Sequence, residues 1–173
     1  MKKGVTLVEL LIAISIFSIA IVSFMGLFTW AINYYRENIL ENYLLDSASY
    51  MLDYLTRALR MAQKDIQGNC IGQNLNYYQS NPNRIKFLNS KGECIEFYLD
   101  SNQLMILKSN IPLTINPPNL LVEDLKFKIL GESQDDNLQP RVTIVLKLRN
   151  NTQPQKTFIV QTTISQRQLD VQY

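Results

Sequence analysis

The chain has no histidine in 173 residues. That removes Ser-His-Asp and Cys-His nucleophile systems and every histidine metal motif. Charge is also scarce. Charged residues make up 18% of the sequence, against roughly 25% for an ordinary soluble domain, and the net charge is only +2. So small an excess, with no basic stripe along the chain, argues against a nucleic-acid binder. There are two cysteines, Cys70 and Cys94, too far apart for a CxxC motif and too few for a zinc site. In an oxidising compartment they could form a disulfide; otherwise they are two small apolar side chains. The pattern supplies no metal ligand set, cofactor motif or catalytic residue, so the expectation is a non-enzyme. Proline is absent before Pro82, which leaves the first half of the chain free to form helix without interruption.

What is present is a long apolar run. From Leu10 to Tyr35 none of the 26 residues is charged, a helix of about 39 Å at ~1.5 Å per residue. That exceeds the roughly 30 Å hydrocarbon core of a bilayer, so the run can span it with some tilt. Lys2 and Lys3 precede it and favour the cytoplasmic side, which directs the chain after Tyr35 outward. The run is longer than the core of a cleavable secretory signal and lacks an A-x-A exit. A plain anchor fits the length but gives no reason for Glu9, a carboxylate inside the opening turn. Such a charge either sits at headgroup level or needs a partner. Gly26 interrupts the run, giving flexibility or close helix packing. Ser15, Ser18 and Ser23 can bond back to the backbone or across to another helix.

KKG-VTLVELLIAISIF, Lys2 to Phe17, resembles the class III signal of type IV prepilins and pseudopilins. Three features carry the likeness: a short basic leader ending in Gly4, a glutamate five residues on, and a long apolar tract. The resemblance implies cleavage after Gly4 by a membrane prepilin peptidase, which also methylates the amine of the new first residue, Val5. The family's usual residue there is phenylalanine, so Val5 departs from the pattern. It further implies that Glu9 of one subunit pairs with the Val5 amine of a neighbour and sets the register of the filament. Farther along, LLVEDLKFKILGES (Leu120–Ser133), PRVTIVLKLRN (Pro140–Asn150) and FIVQTTISQRQL (Phe158–Leu169) look like the closing strands of the PilW and GspJ-like minor pilin branch.

Beyond Arg36 the apolar pattern keeps a helical period, with Leu44, Ala48, Leu52, Leu55, Leu59 and Ala62 on one stripe and Asp53 placed to pair with Arg57. The expectation is one helix from about Thr6 to about Ile66, stopped by Gly68-Asn69. Alternation then predicts strands at Arg84–Leu88 (an edge), Glu93–Leu99, Leu104–Lys108, Leu125–Ile129, Val142–Leu148 and Phe158–Ser165. Pro112 to Asn119 reads as a surface crossing, and Tyr77-Tyr78 as cover for a sheet edge. Gly131 to Pro140, with Glu132, Asp135 and Asp136, reads as a solvated loop; its oxygen ligands would suit calcium but lack EF-hand spacing. Lys126, Lys128, Lys147 and Arg149 form either the wet face of a sheet or a basic binding face.

The expected architecture is α+β and type IV pilin-like, with the long N-terminal helix packed on a mostly antiparallel sheet. Residues 1–4 would be leader, 5–66 the helix (5–35 in the membrane, 36–66 amphipathic) and 67–173 a β-rich domain. The implied role is a minor pilin or pseudopilin that initiates or caps a type IV pilus or a type II secretion pseudopilus, serving motility, DNA uptake or secretion. Its partners would be the prepilin peptidase and methyltransferase, other pilins, lipid and an inner-membrane assembly platform. It would reside in the inner membrane with its C-terminal domain outside the cytoplasm, and then in the filament. The alternative is a membrane-anchored binding protein or tip adhesin for a ligand or DNA, with DNA the weaker choice.

Overall fold

A computed structural model describes residues 4–72, 74–132, 138–151 and 155–168. The helix α1 runs unbroken from Leu7 to Arg60. Residues 1–42 and 43–173 form two compact units, so the second part of α1 belongs with the β-rich unit. From Val5 to Ile39 the apolar side chains of the first unit are exposed, and Leu40 is half-buried. Ser15, Ser18 and Ser23 donate to the carbonyls four residues back, at 2.8, 2.7 and 2.9 Å. Their hydroxyls are thus consumed locally, as expected where water is scarce. A Cβ on Gly26 would meet no atom within 4 Å, so packing within the chain does not require a glycine there.

In the second unit α1 buries Leu44, Ser47, Ala48, Met51, Leu55 and Leu59. Met51 is fully buried where the sequence pattern suggested Leu52, which is only partly covered. Both sit near one stripe, and the flexible thioether fills the deeper gap. On the exposed side Arg57 Nη2 lies 2.9 Å from Asp53 Oδ2, an i,i+4 pair worth a few tenths of a kcal/mol.

The helix stops six residues short of the expected Ile66. Ala62 bonds to Leu59 O in a tightened turn, and Gln63 N then turns to Leu88 O at 2.8 Å on the sheet. The last carbonyls find other donors: Tyr77 Oη donates to Leu59 O at 2.7 Å, Arg167 N to Arg60 O at 2.8 Å, and Gln166 Nε2 to Ala62 O at 2.9 Å. Helix ends need such partners when they are buried. Tyr77 and Tyr78 do cover a sheet edge, pairing with Phe87 and Lys86, but Tyr77 is also a core residue and only Tyr78 is exposed. Burial pushes the Tyr77 phenol far above its ordinary value, so it stays a donor at every working pH. Tyr77→Phe keeps the ring and removes the donor. It is expected to cost about 1–2 kcal/mol in denaturant titration.

The single expected sheet is two. The first has the order β1 (Tyr77–Tyr78), β2 (Arg84–Leu88), β3 (Cys94–Asp100), β4 (Gln103–Lys108) and β5 (Ile111–Thr114). The second holds β6 (Leu120–Leu130), β7 (Arg141–Asn150) and β8 (Thr157–Ser165). All described pairings are antiparallel. β2 is an inner strand because β1 lies outside it, which corrects its reading as an edge. β5 takes up the first residues of the stretch read as a crossing, Pro112 to Thr114. Its turn, Ser109-Asn110, has φ of 51° and 64°, the same left-handed pair as Ser101-Asn102 at 48° and 61° between β3 and β4. Two-residue turns of this hand match strand twist and make hairpins. Pro112 is tolerated because β5 is an edge.

The two sheets are tied by main-chain bonds. Phe127 N donates to Pro82 O at 2.7 Å and Val122 N to Asn102 O at 2.8 Å. One core, from Leu44 through Phe87, Phe97 and Leu125 to Leu148, joins α1 to both.

Candidate functional site: the first turn of the apolar helix

Gly4 and Val5 precede α1 in exposed, non-helical chain; Val5 is 75% exposed and a Cβ on Gly4 would meet nothing within 4 Å. The bond between them is therefore open to attack. Glu9 is the third residue of α1 and is not unpartnered. Its Oε2 accepts from Thr6 N and Thr6 Oγ1, both at 3.0 Å, while Glu9 N donates to Thr6 Oγ1 at 3.3 Å. This is a reciprocal capping box, Thr-x-x-Glu, in which two orphan donors of the helix start are satisfied. Thr6 is the residue the sequence reading passed over, although a threonine three before a glutamate at the head of an apolar run is its usual signature. The box answers part of the cost of Glu9: the carboxylate closes its own helix and sits where the helix dipole favours negative charge. Both bonds use Oε2. An ionised carboxylate accepts on two oxygens, so Oε1 retains capacity for one more donor.

From Leu7 onward the helix presents apolar side chains outward, among them Phe17, Phe24 and Trp30, 65–68% exposed. Trp30 and Tyr34 stack with centroids 5.6 Å apart near the end of the uncharged run. The helix is long and apolar enough to cross a membrane, and no part of its membrane-length window is buried within the chain. Such a surface calls for lipid or other apolar helices around it.

The remaining candidates lie in the second unit. Cys70 and Cys94 are joined in a disulfide with Cα atoms 5.3 Å apart, pinning the loop after α1 to the start of β3. That loop is organised by Asp65, which is buried. Its Oδ2 accepts from Cys70 N and Ile71 N, each at 2.7 Å, and its Oδ1 from Asn69 N at 3.1 Å. Nothing in the sequence pattern singled out Asp65, because an aspartate near a Gly-Asn turn looks like solvated loop.

Three of the four basic residues on β6 and β7 face acidic partners, and the fourth, Lys128, is exposed. A β-bulge between Val122 and Asp124 places Glu123 within 2.8 Å of both Lys147 Nζ and Arg149 Nε, and Lys126 Nζ is 2.7 Å from Asp124. The hydrogen bond from Lys147, aided by the charge of Arg149, holds the Glu123 carboxyl below its ordinary value. The stretch Gly131 to Pro140, read as a solvated loop with oxygen ligands that would suit calcium, falls largely on residues 133–137, outside the described residues. At its near end burial pushes the Glu132 carboxyl up.

Residues 1–25 match the family model described as the prokaryotic N-terminal methylation motif. No curated protein and no solved structure matches the chain.

Proposed function

We propose, from the premise that this chain carries the class III signal of the type IV prepilin and pseudopilin family, that it is a minor pilin or pseudopilin. That family is structural, and its motif implies processing by a prepilin peptidase and association with other pilins. In this reading the chain waits in the inner membrane with Lys2 and Lys3 on the cytoplasmic side and the β-rich unit outside. Cleavage after Gly4 frees the amine of Val5. The capping box then holds the Glu9 carboxylate in the first turn, with Oε1 able to accept from the Val5 ammonium of a neighbouring subunit. Leaving lipid costs little because the filament core is equally apolar. The buried pair fixes axial register more surely than it adds net stability. The role at a filament's start or cap, within a pilus or a secretion pseudopilus, belongs to the same proposal and draws on the strand pattern of residues 120–169.

The single observation that carries this reading is the exposed Gly4-Val5 bond directly ahead of a capped, apolar helix whose third residue is glutamate. Intact mass with N-terminal fragmentation of the membrane or filament form tests it. The expected chain begins at Val5, with or without one added methyl. A chain still starting at Met1 in cells with active prepilin peptidase overturns it.

A further inference from the structure

Between Glu9 and Trp30 the helix offers nothing to water. Residues 10–29 include four hydroxyl side chains and no other hydrogen-bonding donor among their side chains. Ser15, Ser18 and Ser23 bond to the carbonyls four residues back, and Thr29 does the same, its Oγ1 donating to Met25 O at 2.9 Å. The backbone is helical throughout. Every donor of this segment is therefore met within it. Its 20 residues measure about 30 Å at ~1.5 Å per residue, the thickness of a bilayer's hydrocarbon core.

The uncharged run is longer than this segment. It continues to Tyr35, and its last six residues differ in kind. Trp30 and Tyr34 stack one turn apart with their rings nearly parallel, at 12°. Tyr35 follows, and all three rings are more than half exposed. Among the described residues no group accepts from the Trp30 indole, the Asn33 amide or the Tyr34 and Tyr35 hydroxyls. Arg36 comes next and is exposed.

The run could lie in a membrane at two depths. Burying all 26 residues in a core of ~30 Å takes a tilt of about 40°, the upper end of the range for such helices. It also strands the indole, amide and phenol donors in hydrocarbon. Keeping only residues 10–29 in the core needs little tilt. It sets the rings at headgroup level, where an apolar body and a polar tip are both accommodated. We propose that Trp30, Tyr34 and Tyr35 form a lipid-headgroup contact that sets the depth of α1. Glu9 and the Gly4-Val5 bond then stand at the opposite headgroup level and not within the hydrocarbon. The inference rests on that part of the reading above which makes α1 a membrane span.

Trp30 is the only tryptophan of the chain, so its fluorescence reports a single depth. The test places the full, uncut chain in phosphatidylethanolamine and phosphatidylglycerol vesicles whose acyl chains carry a nitroxide, either near the headgroup or near the chain end. The shallow nitroxide should quench Trp30 severalfold more than the deep one. A second reporter, Phe17→Trp with Trp30→Phe, should show the reverse order, because position 17 lies about 4 Å from the midpoint of residues 10–29. Phe17→Trp with Trp30, Tyr34 and Tyr35 all replaced by leucine recentres the apolar run on residues 10–35. That reporter should move to about 8 Å from the bilayer centre. Equal or stronger quenching of Trp30 by the deep nitroxide overturns the contact. Quenching by neither does so too, since protein or water would then cover the rings. An unmoved reporter in the leucine variant overturns the role in setting depth. If Trp30 lies deep while the cellular chain begins at Val5, only this inference fails. If Trp30 lies shallow and the chain is never cut, the prepilin reading fails and the lipid contact stands. A chain that does not enter the vesicles ends both.

Discussion

Glu9→Gln is expected to be cut after Gly4 like the natural chain, yet to enter filaments more than about tenfold less, a loss of at least ~1.4 kcal/mol per subunit contact. The reason lies in the two uses of one carboxylate. Glutamine at the third helical position still completes the capping box with Thr6, because its amide oxygen accepts from Thr6 N as Glu9 Oε2 does. What glutamine cannot do is neutralise the ammonium of a neighbouring Val5. Leaving that charge alone in a dry bundle costs roughly 3–5 kcal/mol. Glu9→Ala loses both and should assemble less than Glu9→Gln, by about the 1 kcal/mol of a lost cap. Thr6→Ala removes the hydroxyl partner but keeps the charge, and should assemble better than either. The measurement is the filament fraction of each variant alongside its N-terminal mass. Normal assembly of Glu9→Gln would show that the carboxylate serves only to start the helix, and the ion pair between subunits would have to be given up.

Asp65→Ala is expected to destabilise the β-rich unit by about 4 kcal/mol, because three backbone N–H groups lose a charged acceptor in a buried loop. Replacing Cys70 and Cys94 together by serine should cost about 3.5 kcal/mol from the loop closed over a separation of 24 residues. The two effects share one segment, since Cys70 donates its own N–H to Asp65. The triple variant should therefore lose less than the sum by about 1 kcal/mol. Denaturant titration of the full chain in detergent, oxidised and reduced, measures all three. Additive losses would mean that carboxylate and disulfide hold separate structures.

The same aspartate predicts a pH dependence. Burial alone pushes the Asp65 carboxyl up, but N–H groups from Ile71, Cys70, Asn69 and Gly68 outweigh it and hold the group below the usual carboxylate range. A carboxyl depressed on folding contributes stability that is fully present above its ordinary value and is lost as pH falls through the folded one. The natural chain should lose stability as the pH drops below the usual carboxylate range, and Asp65→Ala should lose less over the same range. Parallel acid profiles would rule out Asp65 as their cause.

The methylation motif at the start of the chain, the apolar run, the place of Glu9 within it and the existence of most strands were determined by the sequence alone. Each depends on local chemistry: a run without charge, a carboxylate at a fixed distance from a glycine, alternation with period two. The Thr6 cap was equally local and equally legible, and only the pairing of position six with nine had to be noticed. The end of α1 was not legible. Its periodicity continues to Ala62, but Gln63 finds a better acceptor in Leu88, a residue far along the chain. The burial of Tyr77 and the role of Asp65 were not legible for the same reason. A tyrosine in a Tyr-Tyr pair and an aspartate in a loop are ordinary surface residues until other segments fold over them. The division into two sheets, with one edge of β6 bonded to Asn102 and Pro82, was likewise decided only by tertiary structure. Alternation tells a strand which face is wet, but which strand lies beside it depends on chain crossings that no local pattern encodes.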